Sequence, residues 1–356
     1  MVEIDGNMIL CTLCKEKEAN QTGSHIFSRF LIKSAINIDE KKLRGKEAVF
    51  RIGSQKFTKA YIGSRITDED VNKLFGRPVD ELNLEKENPH TKSYFLCSTC
   101  EKRFKICEDY FSENFYSKYK TEKLLVDKHN KFDTLQLNNI SPSLIRLFIY
   151  SLAWRASVVN YENFKLKNKE EEILRTILNE NLDRDKNSIQ VSELPLFVSL
   201  FELDIEHPTK NFIFLHPESK NPYFFVVNEL SFCLFFNKQK KYKSNHFLKN
   251  IGYDHITNEL INWNKDNLIV GFLKNQDRKN LEQGFFKIYV NRKMKQYSMY
   301  FKKNHNRLFG FYPDKNLTKH FLYFFTKDES FIGIQYSVEH LTNFSVEYFN
   351  WLAKIR

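Results

Sequence analysis

The sequence predicts an α+β protein whose N-terminal region is held by cysteines, and three observations predict it. Two Cys-x-x-Cys pairs, Cys11/Cys14 and Cys97/Cys100, stand at either end of the first hundred residues. Helical stretches follow at 100–120, 144–159 and 167–181. The apolar residues beyond about 190 come in short runs rich in β-formers and broken by Pro and Asn, as strands are. We therefore expect three consecutive parts: 1–120, held by the cysteine pairs; 121–190, a helical connector; and 191–356, a basic α+β domain.

Element by element, residues 35–92 are polar and turn-rich. "LRGKEAVFRIGSQKFTKAYIGSRI" reads as short strands joined at Gly45, Gly53 and Gly63. In "CEKRFKICEDYFSENFYSKYK" (100–120), Phe104, Cys107, Phe111 and Phe115 recur at three- and four-residue steps, the period of a helix. The polar turn "NNISPS" supplies a cap, Ser141 or Ser143, for the helix that runs through Trp154. "KNKEEEILRTILNEN" (167–181) is a second helix. "LPLFVSLFELDI", "NFIFLHP", "NPYFFVVNELSFCLFF" and "NLIVGFLK" are strands; "GFFKIYVNRK", "KHFLYFFTK" and "FIGIQYSV" continue the sheet, although 278–302 reads equally well as partly helical. The chain closes in an amphipathic helix, "VEHLTNFSVEYFNWLAKIR".

Composition bounds the function. The 356 residues are 42% hydrophobic and 28% charged, which suits a folded chain with a real core and excludes disorder. Phe occurs 34 times, Gly 11 and Pro 8. "MVEIDGNMIL" lacks the basic start and apolar run of a secretory leader. "LIRLFIYSLAWRASVV" is too short for a bilayer and carries Arg146 and Arg155. A cytoplasmic protein without a membrane partner is expected, and in that compartment paired cysteines bind metal before they form disulfides. There is no P-loop, no Gly-x-Ser-x-Gly and no His-Glu-x-x-His, which argues against nucleotide, serine and zinc-protease hydrolysis.

Four thiolates at Cys11, Cys14, Cys97 and Cys100 suit tetrahedral Zn²⁺, because a two-residue spacer lets one turn present both sulfurs to one ion. Residues 15–96 lie between the pairs, so the ion would close a long loop and hold it as a domain. Such zinc is structural and contributes folding energy. Cys107 and Cys233 read as core residues. His25 lies eleven residues after Cys14 in an apolar "SHIFSRF". In isolation it reads as a hydrogen-bonded core histidine.

The order Cys-x-x-Cys, Ser-His-Ile-Phe, then Cys-x-x-Cys-Glu at the head of a helix resembles the HNH endonucleases, specifically bacterial members with a zinc-bound treble-clef core. The resemblance covers about residues 9–116. It implies a ββα-metal fold with a hairpin histidine as general base, here His25, acting on water against a DNA phosphodiester. The family's metal-binding histidine after the last cysteine is matched by Glu101, an oxygen ligand suited to Mg²⁺ or Mn²⁺. The acidic or histidine ligand before the base is replaced by Ser24. The family's middle asparagine has no clean match at Asn88 or His90. Glu108, nearly two turns beyond Glu101, offers a second carboxylate on the same helix face, with Asp109 its neighbour; the other reading of Glu108 and Asp109 is a solvated helix face. Arg29, one turn on from His25, reads equally as a phosphate contact or a surface ion pair. Long relatives also share a segment like "LFIYSLAWRASV" and are often anti-phage defence effectors, which would make an activating protein partner possible. The alternative is a catalytically inactive zinc module that binds nucleic acid or a protein.

The net charge of +11 is uneven. Residues 236–320 hold 18 Lys+Arg against 6 Asp+Glu, while 1–120 hold 21 against 18. Within that window Lys240, Lys241 and Lys243, and Arg292, Lys293 and Lys295, mix with Tyr, Phe and Asn. Cations for phosphates and rings for bases suit nucleic acid, and phosphate contacts position without specifying sequence. A merely lysine-rich surface is the other reading.

Overall fold

The computed structural model describes residues 9–37, 45–51, 59–75, 84–121, 126–129, 132–135, 140–184, 188–189, 191, 194–202, 213–215, 222–236, 261–262, 268–326 and 338–355. In chain order the elements begin with β1 (Ser24–His25), α1 (Arg29–Ile36), β2 (Ala48–Arg51), β3 (Lys59–Ile62), α2 (Asp68–Phe75), β4 (Thr91–Lys92) and α3 (Ser98–Phe111). A π-turn (Ser112–Tyr116) leads into α4 (Ser117–Thr121), and β5 (Val126–His129), β6 (Phe132–Leu135), α5 (Pro142–Val158) and α6 (Asn168–Asn181) follow. Then come β7 (Leu196–Phe201), β8 (Ile213–Leu215), β9 (Tyr223–Val227), β10 (Leu230–Leu234) and β11 (Val270–Leu273). Three helices close the chain: α7 (Asn275–Phe309), α8 (Lys315–Thr326) and α9 (Val338–Ile355).

These elements form two compact units, Met1–Lys46 with Glu87–Leu281, and Glu47–Lys86 with Glu282–Arg356. The units cut across the three consecutive parts expected from the sequence. The excursion 47–86 groups with the C-terminal helices, and the expected connector 121–190 belongs wholly to the first unit. That connector is also not purely helical, since β5 and β6 pair with each other inside it. Their sequences, "VDKH" on the sheet edge and "FDTL" beside it, are four residues each and so give little apolar signal.

In the first unit a seven-stranded sheet runs β5-β6-β11-β7-β10-β9-β8. Neighbours are antiparallel except β11 and β7, which are parallel. Every residue of β7, β9 and β10 is buried, which explains why these strands read as unbroken apolar runs instead of alternating ones. Gly271 in β11 sits opposite Ser199, where an added Cβ would come within 3.3 Å of the serine Cβ. Helix α5 is buried without interruption from Leu144 to Ser157, as an all-round apolar helix must be. Of the two serines that could cap it, Ser141 does: its Oγ accepts from Leu144 N at 3.4 Å, with Pro142 in the first turn. Helix α5 packs on α3 and α6, with Phe148 stacked on Phe111 at 4.1 Å and Trp154 on Phe104 at 6.1 Å.

In the second unit β2 and β3 form an antiparallel pair, and α7, α8 and α9 share a core of Tyr297, Phe301, Phe321, Phe325, Phe344 and Tyr348. Here one expected strand segment is corrected, and the open reading of 278–302 resolves to helix. "GFFKIYVNRK" lies in α7, and "KHFLYFFTK" lies in α8 through Thr326. Aromatic residues favour strands locally, but the buried ones stand four apart in each helix: 297/301, 321/325 and 344/348. That spacing is one helix face. Residues 331–337 of "FIGIQYSV", and Gly53, lie outside the described residues. No described helix is long and apolar enough to cross a membrane.

Candidate functional site

Two turns build the cysteine cluster. In the first, Cys11 O accepts from Lys15 N and Cys11 N donates to Lys17 O, which folds the chain back so that Leu10 bridges Glu18. Lys15 adopts φ +60° to close this turn. In the second, Cys97 caps α3, its Sγ accepting from Cys100 N at 3.4 Å, and Cys100 lies in the helix's first turn. The turns are joined directly: Thr12 donates to Phe95 O from both its N and its Oγ1, and Gln21 N donates to Leu96 O.

As a result the Sγ atoms of Cys11, Cys14, Cys97 and Cys100 all lie within 4.8 Å of one another. A tetrahedral ZnS₄ centre with bonds of about 2.3 Å needs sulfurs about 3.8 Å apart, so the four residues fit a zinc-type ion. The thiols feel one another. The Cys100 contact holds Cys11 down to about 4, and the same contact together with burial keeps Cys100 raised. Arg103 supplies the compensating charge, with Nη1 3.6 Å from Cys100 Sγ. It is held in turn by Asn179 Oδ1 at 2.9 Å and Asp183 Oδ1 at 2.7 Å. Arg175 Nη1 donates to Leu13 O at 2.7 Å, and Glu172 bridges Arg175 and Lys15. Helix α6 therefore backs the cluster, a role its sequence did not signal.

The same folding pairs β1 with β4, setting Ser24 opposite Lys92 and His25 opposite Thr91. His90 O extends the pairing by accepting from Ile26 N at 2.9 Å. The His90 ring is buried against Tyr161, with Nδ1 3.0 Å from the phenol oxygen. Asn88 is used in the turn, where its Oδ1 accepts from His90 N.

Glu101 lies in the first turn of α3, next to Cys100. Its Oε2 is buried without a hydrogen-bond partner. Burial raises its pKa above the usual carboxylate range and Glu108 adds to the rise, while Arg155 and Ser24 pull it down. The Ser24 hydroxyl is close enough to exert that pull, yet it makes no hydrogen bond of ordinary geometry. Glu108 faces the same way, as its spacing implied, but its carboxylate is engaged. Oε1 accepts from Ser28 Oγ and from Arg155 Nη2, both at 2.7 Å. Ser28 precedes α1 without capping it by its side chain, because its hydroxyl is turned to Glu108.

Arg155 is the residue that sequence reasoning quoted without a role. Its side chain is 2% exposed, and Nη1 donates to the backbone oxygen of His25 at 3.0 Å. One buried guanidinium thus ties the β1 backbone to Glu108, and its charge acts on Glu101. Two arginines, Arg146 and Arg155, inside an otherwise apolar helix were the available signal. They imply a buried counter-charge without saying where that lies in the sequence.

Arg29 opens α1 and is half-buried. Lys295 is exposed on α7; Arg292 and Lys293 belong to the same helix, but their side chains, like all of Lys240, Lys241 and Lys243, lie outside the described residues. Cys107 and Cys233 are buried core thiols, as expected, and burial pushes Cys107 up to about 12. Among the described residues the four cysteines are the one cluster of three or more metal-ligating side chains. No protein-family model, curated protein or solved structure matches the chain.

Proposed function

We propose that this chain is a metal-dependent endonuclease of HNH type, its zinc-held ββα core cutting DNA phosphodiesters. The observation that supports it is the pairing of β1 with β4 beside the sulfur cluster. It carries His25 on one strand, and the other strand leads within a few residues to Cys97, α3 and Glu101. An imidazole and a buried carboxylate oxygen without a partner thereby belong to one small substructure.

Glu101 is the protein ligand for Mg²⁺ or Mn²⁺ in this reading, and such ions accept one or two carboxylates with water and phosphate oxygens completing the shell. When bound, the ion supplies Lewis-acid polarisation of the phosphate and stabilises the leaving oxygen. Neutral His25 takes the proton from the attacking water, a contribution of about 10²–10⁴ in rate. Arg155 and Glu108 are positioning residues, since Arg155 fixes the His25 carbonyl while Glu108 holds Arg155. Arg29 contacts a backbone phosphate.

A second reading is a non-catalytic zinc module that binds nucleic acid or a protein. It is favoured by Ser24 in place of a metal ligand and by the engagement of Glu108 with Ser28 and Arg155. A plasmid-nicking assay with Mg²⁺ or Mn²⁺ separates the two. Nicking by the wild type that disappears in His25→Ala, with one zinc per chain in both, supports the nuclease. Wild-type protein that cuts neither DNA nor RNA with either ion removes it and leaves the second reading.

A further inference from the structure

We propose that the turn between α7 and α8 binds single-stranded nucleic acid, its rings taking unstacked bases and its flanking cations taking phosphates. This inference needs no cutting by His25, and it sharpens the nucleic-acid reading of the basic window 236–320 by naming the turn, its rings and the form of nucleic acid.

The turn holds Leu308, Phe309, Phe311 and Tyr312 within five positions, and all four are exposed; Phe311 is 62% and Tyr312 66% accessible. Isolated exposed apolar side chains are ordinary, but a contiguous set marks a surface built to be covered. The two phenylalanine rings are set in place. Gly310 turns the chain at φ +77°, and the buried His305 fixes the far side of the turn, with Nδ1 2.8 Å from Phe311 O. The His305 ring lies 4.7 Å from Phe309 and 5.0 Å from Phe311, and Phe309 also packs edge-on against Phe349 at 5.2 Å. These rings are ordered before any ligand arrives, so little freedom is lost on binding.

Charge selects the occupant. Residues 302–319 hold five Lys/Arg (Lys302, Lys303, Arg307, Lys315 and Lys319) against one acid, Asp314, a net +4. Asp314 caps α8, its Oδ1 accepting from Leu317 N at 2.7 Å. Among the described residues no carboxylate pairs with Arg307, Lys315 or Lys319, and all three are exposed. Flat rings beside cations that have no acidic partner among the described residues match a ligand with flat faces on an anionic backbone. A duplex hides its base faces and can use only the cations, so a single strand is the form that engages both.

The test uses the full chain carrying His25→Ala, without added divalent ions, and fluorescence anisotropy with a labelled mixed-sequence oligonucleotide of about 15 nucleotides. We expect the single strand to bind more tightly than the matching duplex. Phe311→Ala with Tyr312→Ala should weaken single-strand binding by about tenfold or more while leaving duplex binding and the melting temperature unchanged. Lys315→Gln with Lys319→Gln should instead lower the slope of log affinity against log salt by about 1.4 for the single strand. The proposal is overturned if the aromatic double variant binds like its parent. It is equally overturned if no single strand binds, or if the rings prove necessary only for anionic phosphatidylserine vesicles or for an acidic peptide. Nicking by the wild type is read separately, so a failure of either idea leaves the other standing.

Discussion

Within the first compact unit, the segments 9–37 and 84–100 contrast with the seven-stranded sheet. The segments contain only two-residue strands and one short helix, joined by loop hydrogen bonds and by four sulfurs. The sheet and α5 contain dozens of buried apolar atoms and no metal-ligating cluster. The first has four sulfurs that could share one ion beside its buried side chains; the second rests on area removed from water alone. Ligand bonds at such a cluster would add to burial in a region of little regular structure, and the two kinds of support should separate when either is withdrawn.

The largest effect is expected from removing the metal, by chelation or by Cys97→Ser. Structural zinc supplies about 10–16 kcal/mol of apparent binding energy, so the segments should unfold. Hydrogen exchange should show Thr12, Gln21, Ile26 and Tyr94 amides losing protection while β7, β9 and β10 keep theirs. Uniform loss, or none, would break the contrast. Trp154→Ala should do the opposite. It opens a cavity in α5 at a cost of about 3–5 kcal/mol, read by urea unfolding, and lowers protection in the sheet. A smaller effect follows from the buried pair that links the two supports. Arg155→Met leaves Glu108 uncompensated and should cost about 2–3 kcal/mol, less than a fully buried pair because Glu108 is 26% exposed. Adding Glu108→Gln should recover a large part of that loss; strict additivity would show the pair to be uncoupled.

The smallest effect is at Glu172, whose pKa is held down at about 2, chiefly by its hydrogen bonds from Arg175 and Lys15. A depressed carboxylate stabilises the fold above its ordinary pKa and loses that contribution as pH falls toward the folded value. The window is therefore about pH 4.5 down to 2. Glu172 is half exposed, so solvent screening limits the contribution to about 0.5 kcal/mol, and Glu172→Gln should flatten the acid limb of the stability profile by that amount.

Parts of this molecule were readable residue by residue. The cysteine cluster was, because a two-residue spacer places thiols locally and thiolate chemistry restricts what they bind. Helices 100–120, 144–159 and 167–181 were, because their apolar periods are local. Strands β7 to β11 were, because their runs are short and bounded by breakers. The segment 319–326 was misread as a strand, and 284–293 read equally as strand or helix, since aromatic propensity competed with a four-residue spacing that only becomes decisive once α7, α8 and α9 pack together. Glu108 was correctly placed on the face of Glu101, but its bond to Arg155 was invisible, as the two lie 47 residues apart.

Residue type and short spacing thus determined the two cysteine pairs, the helix periods and the strand runs, because each depends on neighbours within a turn or two. Tertiary structure alone decided that residues 47–86 group with the last helices and that Arg155 reaches back across 130 residues to the carbonyl of His25. These choices depend on which distant surfaces exclude water together, and no local pattern encodes that pairing.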